Sequence, residues 1–162
     1  MMDPRTLILD TGPLWELIRY LAVRAGYVAL SSRAILRTQE QYDNLVAFAA
    51  QFRHRMTTPH VVAEISRRVV DTPKNWHSNL WKLVQEEFAR MKMNEEILKL
   101  LHMPHDLLVS LGAVDVGILK VAASFEPGMT TLLSIDGSLI KECRSAGLSA
   151  QDLWEVIAAE VY

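Results

Sequence analysis

Four acidic residues interrupt or close separate apolar segments: Asp10 in TLILDTGPL, Glu64 in TTPHVVAEIS, Asp115 in LGAVDVGIL and Asp136 in TLLSIDGSL. A carboxylate among apolar neighbours is costly unless something compensates its charge. Four of them with little basic residue nearby would most simply share a divalent cation, if the fold gathers them. Carboxylate oxygens are hard ligands that suit Mg²⁺ or Mn²⁺, with waters and substrate phosphate completing the shell. Such a cation polarises a phosphoryl oxygen and lowers the pKa of a bound water. The expected chemistry is metal-assisted hydrolysis of a phosphodiester, which makes a nuclease the leading function.

Each acid also has a plainer reading. Asp10, before Thr11-Gly12, and Asp136, before Gly137-Ser138, stand where aspartates form turns and cap helices. Glu64 has Arg68 at i+4, the favourable orientation for a surface ion pair, yet Val61 at i−3 puts it at the border of an apolar face. Asp115 is the hardest to explain away. It lies between Val114 and Val116, and no basic residue occupies i±3 or i±4. Helix-dipole stabilisation of below about 1 kcal/mol is small beside the desolvation of a buried carboxylate. Ser134, two residues before Asp136 on the same side of a strand, adds a hydroxyl to the set.

The elements that must position these residues follow from spacing and punctuation. Thr6 to Asp10 and Thr130 to Ile135 read as buried parallel-type strands. Pro13 suits a first helical position, followed by Leu14, Leu17, Ile18 and Leu21. Thr38 with Gln41 forms a capping box that opens a helix through Tyr42, Leu45, Val46, Ala49 and Phe52. Thr58-Pro59 opens a helix carrying Glu64, and Thr72-Pro73 opens a longer one from Trp76 to Met91. Asn94 caps a short helix to Leu101, His102 to Asp106 is a connection, and Leu111 to Ala123 is a helix. A helix from Ser138 to about Ala146 and a last one through Leu153, Val156 and Ile157, capped by Ser149 with Asp152, complete the chain. Gly147-Leu148 reads as a brief edge strand, and Ala25 to Arg37, with YVAL inside it, fits either a short strand or a loop. Strands alternating with helices predict an open α/β sheet, in which ligands bind outside the carboxyl ends of the strands.

The whole of 1–162 reads as a single domain without repeats or linkers. Charged residues are 22%, the net charge is −2 and the pI is near 6.2, which argues against gripping nucleic acid by bulk electrostatics. Cys143 is the only cysteine, which excludes internal disulfides and thiolate zinc clusters. The N-terminus lacks the pattern of a signal peptide and no apolar run is long enough to span a bilayer, so a cytoplasmic protein without membrane contact is expected.

In the order and identity of its acidic segments, LILDTGPL, TTPHVVAEI, LGAVDVGILKVA and LLSIDGSL, the chain resembles the PIN-domain family of metal-dependent nucleases. The resemblance spans essentially the whole chain. It implies a three-layer α/β/α fold with a central parallel sheet flanked by helices. It implies a catalytic, metal-binding quartet of Asp10, Glu64, Asp115 and Asp136, with Thr11 and Ser134 in support and Mg²⁺ or Mn²⁺ as the metal. The function implied is that of an endoribonuclease, in some relatives the toxin of a toxin–antitoxin pair. An antitoxin protein and a homodimer then become expected partners beside the RNA substrate. The stretch between Asp10 and Glu64 is longer than in compact toxin members.

RNA reaching an acidic site needs cations for its backbone, and Arg53, Arg55, Arg67 and Arg68, with His54, cluster around the Glu64 segment. A solvated helix face is the plain alternative for them. Two other classes compete with the nuclease. A dehalogenase-like phosphotransfer domain needs a second aspartate two residues after the first, where Gly12 stands here, and the acidic pair and late lysine of a receiver domain are not clear. A PIN-like fold serving as a non-catalytic binding or assembly module is the remaining alternative.

Overall fold

The computed structural model describes residues 5–28, 35–93 and 105–158. Five parallel strands form one sheet: β1 (Thr6–Leu9), β2 (His54–Thr57), β3 (Lys92–Met93), β4 (Thr130–Ser134) and β5 (Ser149–Asp152), in the order β3-β2-β1-β4-β5. The apolar run of β1 is buried at every residue because it is paired on both edges, Thr6 opposite His54 on one side and opposite Thr130 on the other. A strand covered on both faces has no reason to alternate in polarity, which is why TLIL and TTLLS are legible as strands from sequence.

Parallel pairing requires a crossover between strands, and the helices supply it. They are α1 (Thr11–Arg24), α2 (Gln39–Ala50), α3 (Pro59–Val70), α4 (His77–Ala89), α5 (His105–Ala123), α6 (Gly137–Ser145) and α7 (Leu153–Ala158), with a short 3₁₀ turn at Lys74–Trp76. Helices α2, α3 and α4 all pack on α1, and α7 packs on α2, whereas α5 and α6 pack on each other. The result is a three-layer α/β/α arrangement around a core of Leu7, Ile8, Leu9, Ile18, Ile65, Ile118, Leu132 and Leu133. No helix among the described residues is long and apolar enough to cross a membrane.

Local signals set most helix starts. Thr38 accepts from the Gln41 amide while the Gln41 side chain accepts from the Thr38 amide, the reciprocal capping box. Thr58 caps α3 with Pro59 at its first position. Pro13 is different: α1 begins two residues earlier, because Asp10 itself caps the Thr11 amide. The Thr72-Pro73 pair also departs from its expected role. The Thr72 hydroxyl donates back to the Val69 carbonyl, Pro73 leads into the 3₁₀ turn, and α4 starts only at His77.

Strands β2, β3 and β5 do not stand out in the sequence. HRMT lacks an apolar run, and only Met56 and Thr57 are buried. Ser149 begins β5 rather than capping the last helix, and Asp152 takes that part by accepting from the Trp154 amide. Tyr27-Val28 is not a strand, and His105-Asp106 belongs to α5. The helix expected from Asn94 to Leu101 lies outside the described residues.

One buried charge ties the amino end of the sheet to α4. Both oxygens of Glu87, almost fully buried, are paired, one with Arg55 at 3.1 Å and one with Arg90 at 3.0 Å. Glu87→Ala leaves the half-buried Arg55 guanidinium without its partner. Chemical denaturation should show a loss of about 1–3 kcal/mol, set by the partial exposure of the pair.

Candidate functional site

The strand order changes direction between β1 and β4. After β1 the chain builds β2 and β3 on one side, then returns to lay β4 against the other edge of β1. The crevice beyond the carboxyl ends of two such strands is where open α/β sheets bind ligands. Asp10 directly follows β1 and Ser134 ends β4.

Asp10 is held there from three directions. Its amide continues the ladder by donating to the Leu133 carbonyl at 3.2 Å. Its Oδ1 accepts from the Thr11 amide at 2.6 Å, and its Oδ2 accepts from the Ser134 hydroxyl at 2.6 Å. Ser134, fully buried, also accepts from the Asp136 amide at 3.0 Å. The Thr11 hydroxyl donates to Glu64 Oε2. A continuous hydrogen-bonded path therefore runs Glu64–Thr11–Asp10–Ser134–Asp136, across α3, α1, β4 and the start of α6.

The plain readings of the acids can now be judged one by one. Glu64 is exposed, but it forms no ion pair with Arg68 and turns to Thr11 instead. Asp136 does cap α6, its Oδ1 accepting from Ser138 and Leu139; Asp10 likewise caps α1. Capping and membership of the acidic group coincide in both. Asp115 lies three residues beyond Gly112, whose backbone (φ 80°, ψ 168°) interrupts α5. That conformation is essentially restricted to glycine, and it restarts the helix so that Asp115 falls in a first turn. Gly12 has a different reason: a Cβ there would sit 3.0 Å from Ile135, whose side chain packs over the start of α1.

The four acids lie near enough for their charges to act on one another. Burial pushes the Asp10 carboxyl above its ordinary value; the bonds from Ser134 and Thr11 oppose this, and the charges of Glu64 and Asp136 add to it. Asp115, half-buried, is pushed up to about 6, first by burial and then by the negative charges of Asp10, Asp136 and Glu64. None of the four has a Lys, Arg or His within ion-pair distance among the described residues. Burial, then the charges of Asp115 and Glu142, push the nearby Cys143 thiol up to about 11. Fully buried, it packs as a small apolar side chain of α6.

Among the described residues, no three His, Cys, Asp or Glu side chains are gathered closely enough to hold a metal ion. Both Asp10 oxygens, one of Asp136 and one of Glu64 accept from protein donors. The donor chemistry nevertheless suits a hard divalent cation: four carboxylates, no soft atom, and no ion pair to any of them among the described residues.

The basic residues divide. Arg67 and Arg68 are exposed in the last turn of α3, the helix that carries Glu64. Arg53 and Arg55 stand at the amino end of β2, a strand length of about 13 Å from the carboxyl ends. Arg55 is moreover bound to Glu87. The acids and these two arginines occupy opposite ends of the sheet.

Sequence reasoning passed over two buried carboxylates, Glu87 and Glu16. Glu16 is 1% exposed, lies 3.6 Å from Arg19, and accepts weakly from the Ile35 and Leu36 amides and from the Tyr42 hydroxyl. Burial raises its pKa, against the pull of Arg19. The Glu16–Arg19 spacing was the available signal. Its role is to tie residues 35–36 to α1. Compared with known proteins, the chain matches no family model and no curated protein, so the functional reading stands on the side chains themselves.

Two outcomes test this electrostatic picture in metal-free, chelator-treated protein. The folded-state value of Asp115 lies above its ordinary 3.8, so its contribution to stability is present below that pH and is lost as pH rises through about 6. Asp115→Asn should therefore match wild type near pH 4 and exceed it above pH 7, on the order of 1–2 kcal/mol after allowance for partial exposure. Equal denaturation midpoints at both pH values would contradict the convergence. Ser134→Ala, which strips a donor from buried Asp10, should cost about 1–3 kcal/mol at neutral pH.

Proposed function

We propose that this protein is a metal-dependent ribonuclease that hydrolyses RNA phosphodiester bonds. The observation that supports it best is that Asp10, Glu64, Asp115 and Asp136 lie near one another at the reversal of strand order, with no ion pair to any of them among the described residues. Asp10, Asp115 and Asp136 are the proposed ligands of Mg²⁺ or Mn²⁺, and Glu64 either joins them or positions the attacking water. When bound, the ion supplies charge neutralisation and an acidified water at neutral pH. The protein's own part is positioning. Thr11 fixes the Glu64 carboxylate, Ser134 and the Thr11 amide fix Asp10, and the α6 amides fix Asp136. The exposed Arg67 and Arg68 are the basic residues of this set on an element that reaches the site, and we assign the RNA backbone to them. A role as the toxin of a toxin–antitoxin pair belongs to the same proposal, with an antitoxin that covers the acidic crevice.

The second reading, a non-catalytic PIN-like module, draws on the fact that no three acids among the described residues are close enough to hold an ion. The two readings separate in one experiment. Wild type should cleave single-stranded RNA in Mn²⁺ or Mg²⁺ and stop on chelation, and Asp115→Asn should lose about 10²-fold or more in rate. Cleavage by Asp115→Asn at the wild-type rate would refute the role of the quartet. Absence of both cleavage and saturable Mn²⁺ binding would favour the module.

A further inference from the structure

The amino end of the sheet, remote from the acids, holds a cavity of about 420 Å³ between α1, α2, α4 and the start of β2. That volume falls in the range of small-molecule sites. Its floor is apolar, with Leu17, Leu21 and Phe52, and Val46 remains exposed beside it. Its rim carries Arg24, Arg53, Arg55 and Arg90, four of the 17 lysines and arginines in a chain of net charge −2.

Four guanidiniums face two carboxylates here: Glu87 in the lining, and Asp43 behind it, which accepts from the Tyr20 hydroxyl at 3.2 Å. Glu87 is the only acid in the lining, and its two oxygens are taken by Arg55 and Arg90. Arg24 is aimed by an aromatic residue: it lies 5.6 Å over the Tyr20 ring and donates to the Tyr20 hydroxyl at 3.3 Å. Arg53 is exposed and makes no ion pair among the described residues. The carboxyl ends of α1, α2 and α4 converge here and account for part of the arginine requirement. At roughly half a charge each, they leave the four guanidiniums, set against two carboxylates, with a small positive excess.

A rim of guanidinium forks favours phosphate, whose oxygens accept them in pairs. An apolar floor with the half-buried Phe52 at hand favours a flat hydrophobic body. We propose that this cavity binds a nucleoside phosphate, with its phosphates at Arg24, Arg53 and Arg90 and its base over the Phe52 side. The proposal is independent of the ribonuclease reading, because no residue is shared between the two sites. Bound ligand would tie the ends of three helices together.

Adenosine diphosphate serves as the probe, titrated calorimetrically into wild type, into Arg24→Ala with Arg53→Ala, and into Asp115→Asn, all with chelator present. Inorganic phosphate and adenosine are titrated in parallel. Saturable one-to-one binding is expected, retained in Asp115→Asn and weakened about 10-fold or more in the double arginine variant, with phosphate and adenosine each binding more weakly than the diphosphate. Both arginines are exposed, and a matching circular dichroism spectrum establishes that the double variant is folded. No saturable binding at millimolar probe would overturn the proposal. So would binding that the arginine substitutions leave unchanged, or phosphate alone binding as tightly as the nucleotide.

Discussion

The carboxylate of Asp10, fixed between two neighbouring strands, is the constraint on which the rest of the site depends. Its amide extends the pairing of β1 with β4, while its side chain caps α1 and receives the Ser134 hydroxyl from the far end of the chain. A buried carboxylate demands donors, and the two that answer belong to α1 and β4. Satisfying this one side chain therefore fixes the positions of the two motifs most distant in sequence. Thr11 then carries the connection to Glu64, and Ser134 carries it to Asp136.

Hydrogen bonding of this kind leaves the charge unbalanced. Donors of neutral groups satisfy oxygens without neutralising them, so the four acids raise one another's cost, most visibly at Asp115. A fold selected for stability alone has a simpler remedy in an arginine, which is the remedy found at Glu87. Glu87, doubly paired, thus stands in contrast to the quartet, which has no ion pair among the described residues.

The same sheet thus has two electrostatic poles. Acids gather at the carboxyl ends of the strands and arginines at the amino ends, where the carboxyl termini of α1, α2 and α4 meet. A net charge of −2 conceals this separation, because summed composition carries no information about direction. Arg53 and Arg55 illustrate the consequence: they are close to Glu64 in sequence, yet a β-strand and a helical turn lie between them, and the strand carries them to the opposite end.

Uninterrupted apolar runs were sufficient to mark β1 and β4, since strands paired on both edges and covered on both faces have nothing polar to accommodate. Short-range chemistry likewise marked α2 and α3, whose Thr38 and Thr58 caps act within a single turn. Asp115 announced itself through the lack of any local partner. Elements held by their neighbours were not legible in this way. HRMT is a strand because β1 offers it an edge, and the Thr72-Pro73 pair yields to a 3₁₀ turn although its local pattern matches that at Thr58-Pro59. Strand order, the Thr11–Glu64 contact in place of an ion pair with Arg68, the burial of Glu16 and Glu87, and the arginine cavity were decided only in three dimensions. Each depends on which distant groups the chain brings together, and that follows from packing the whole sheet, not from the few residues on either side.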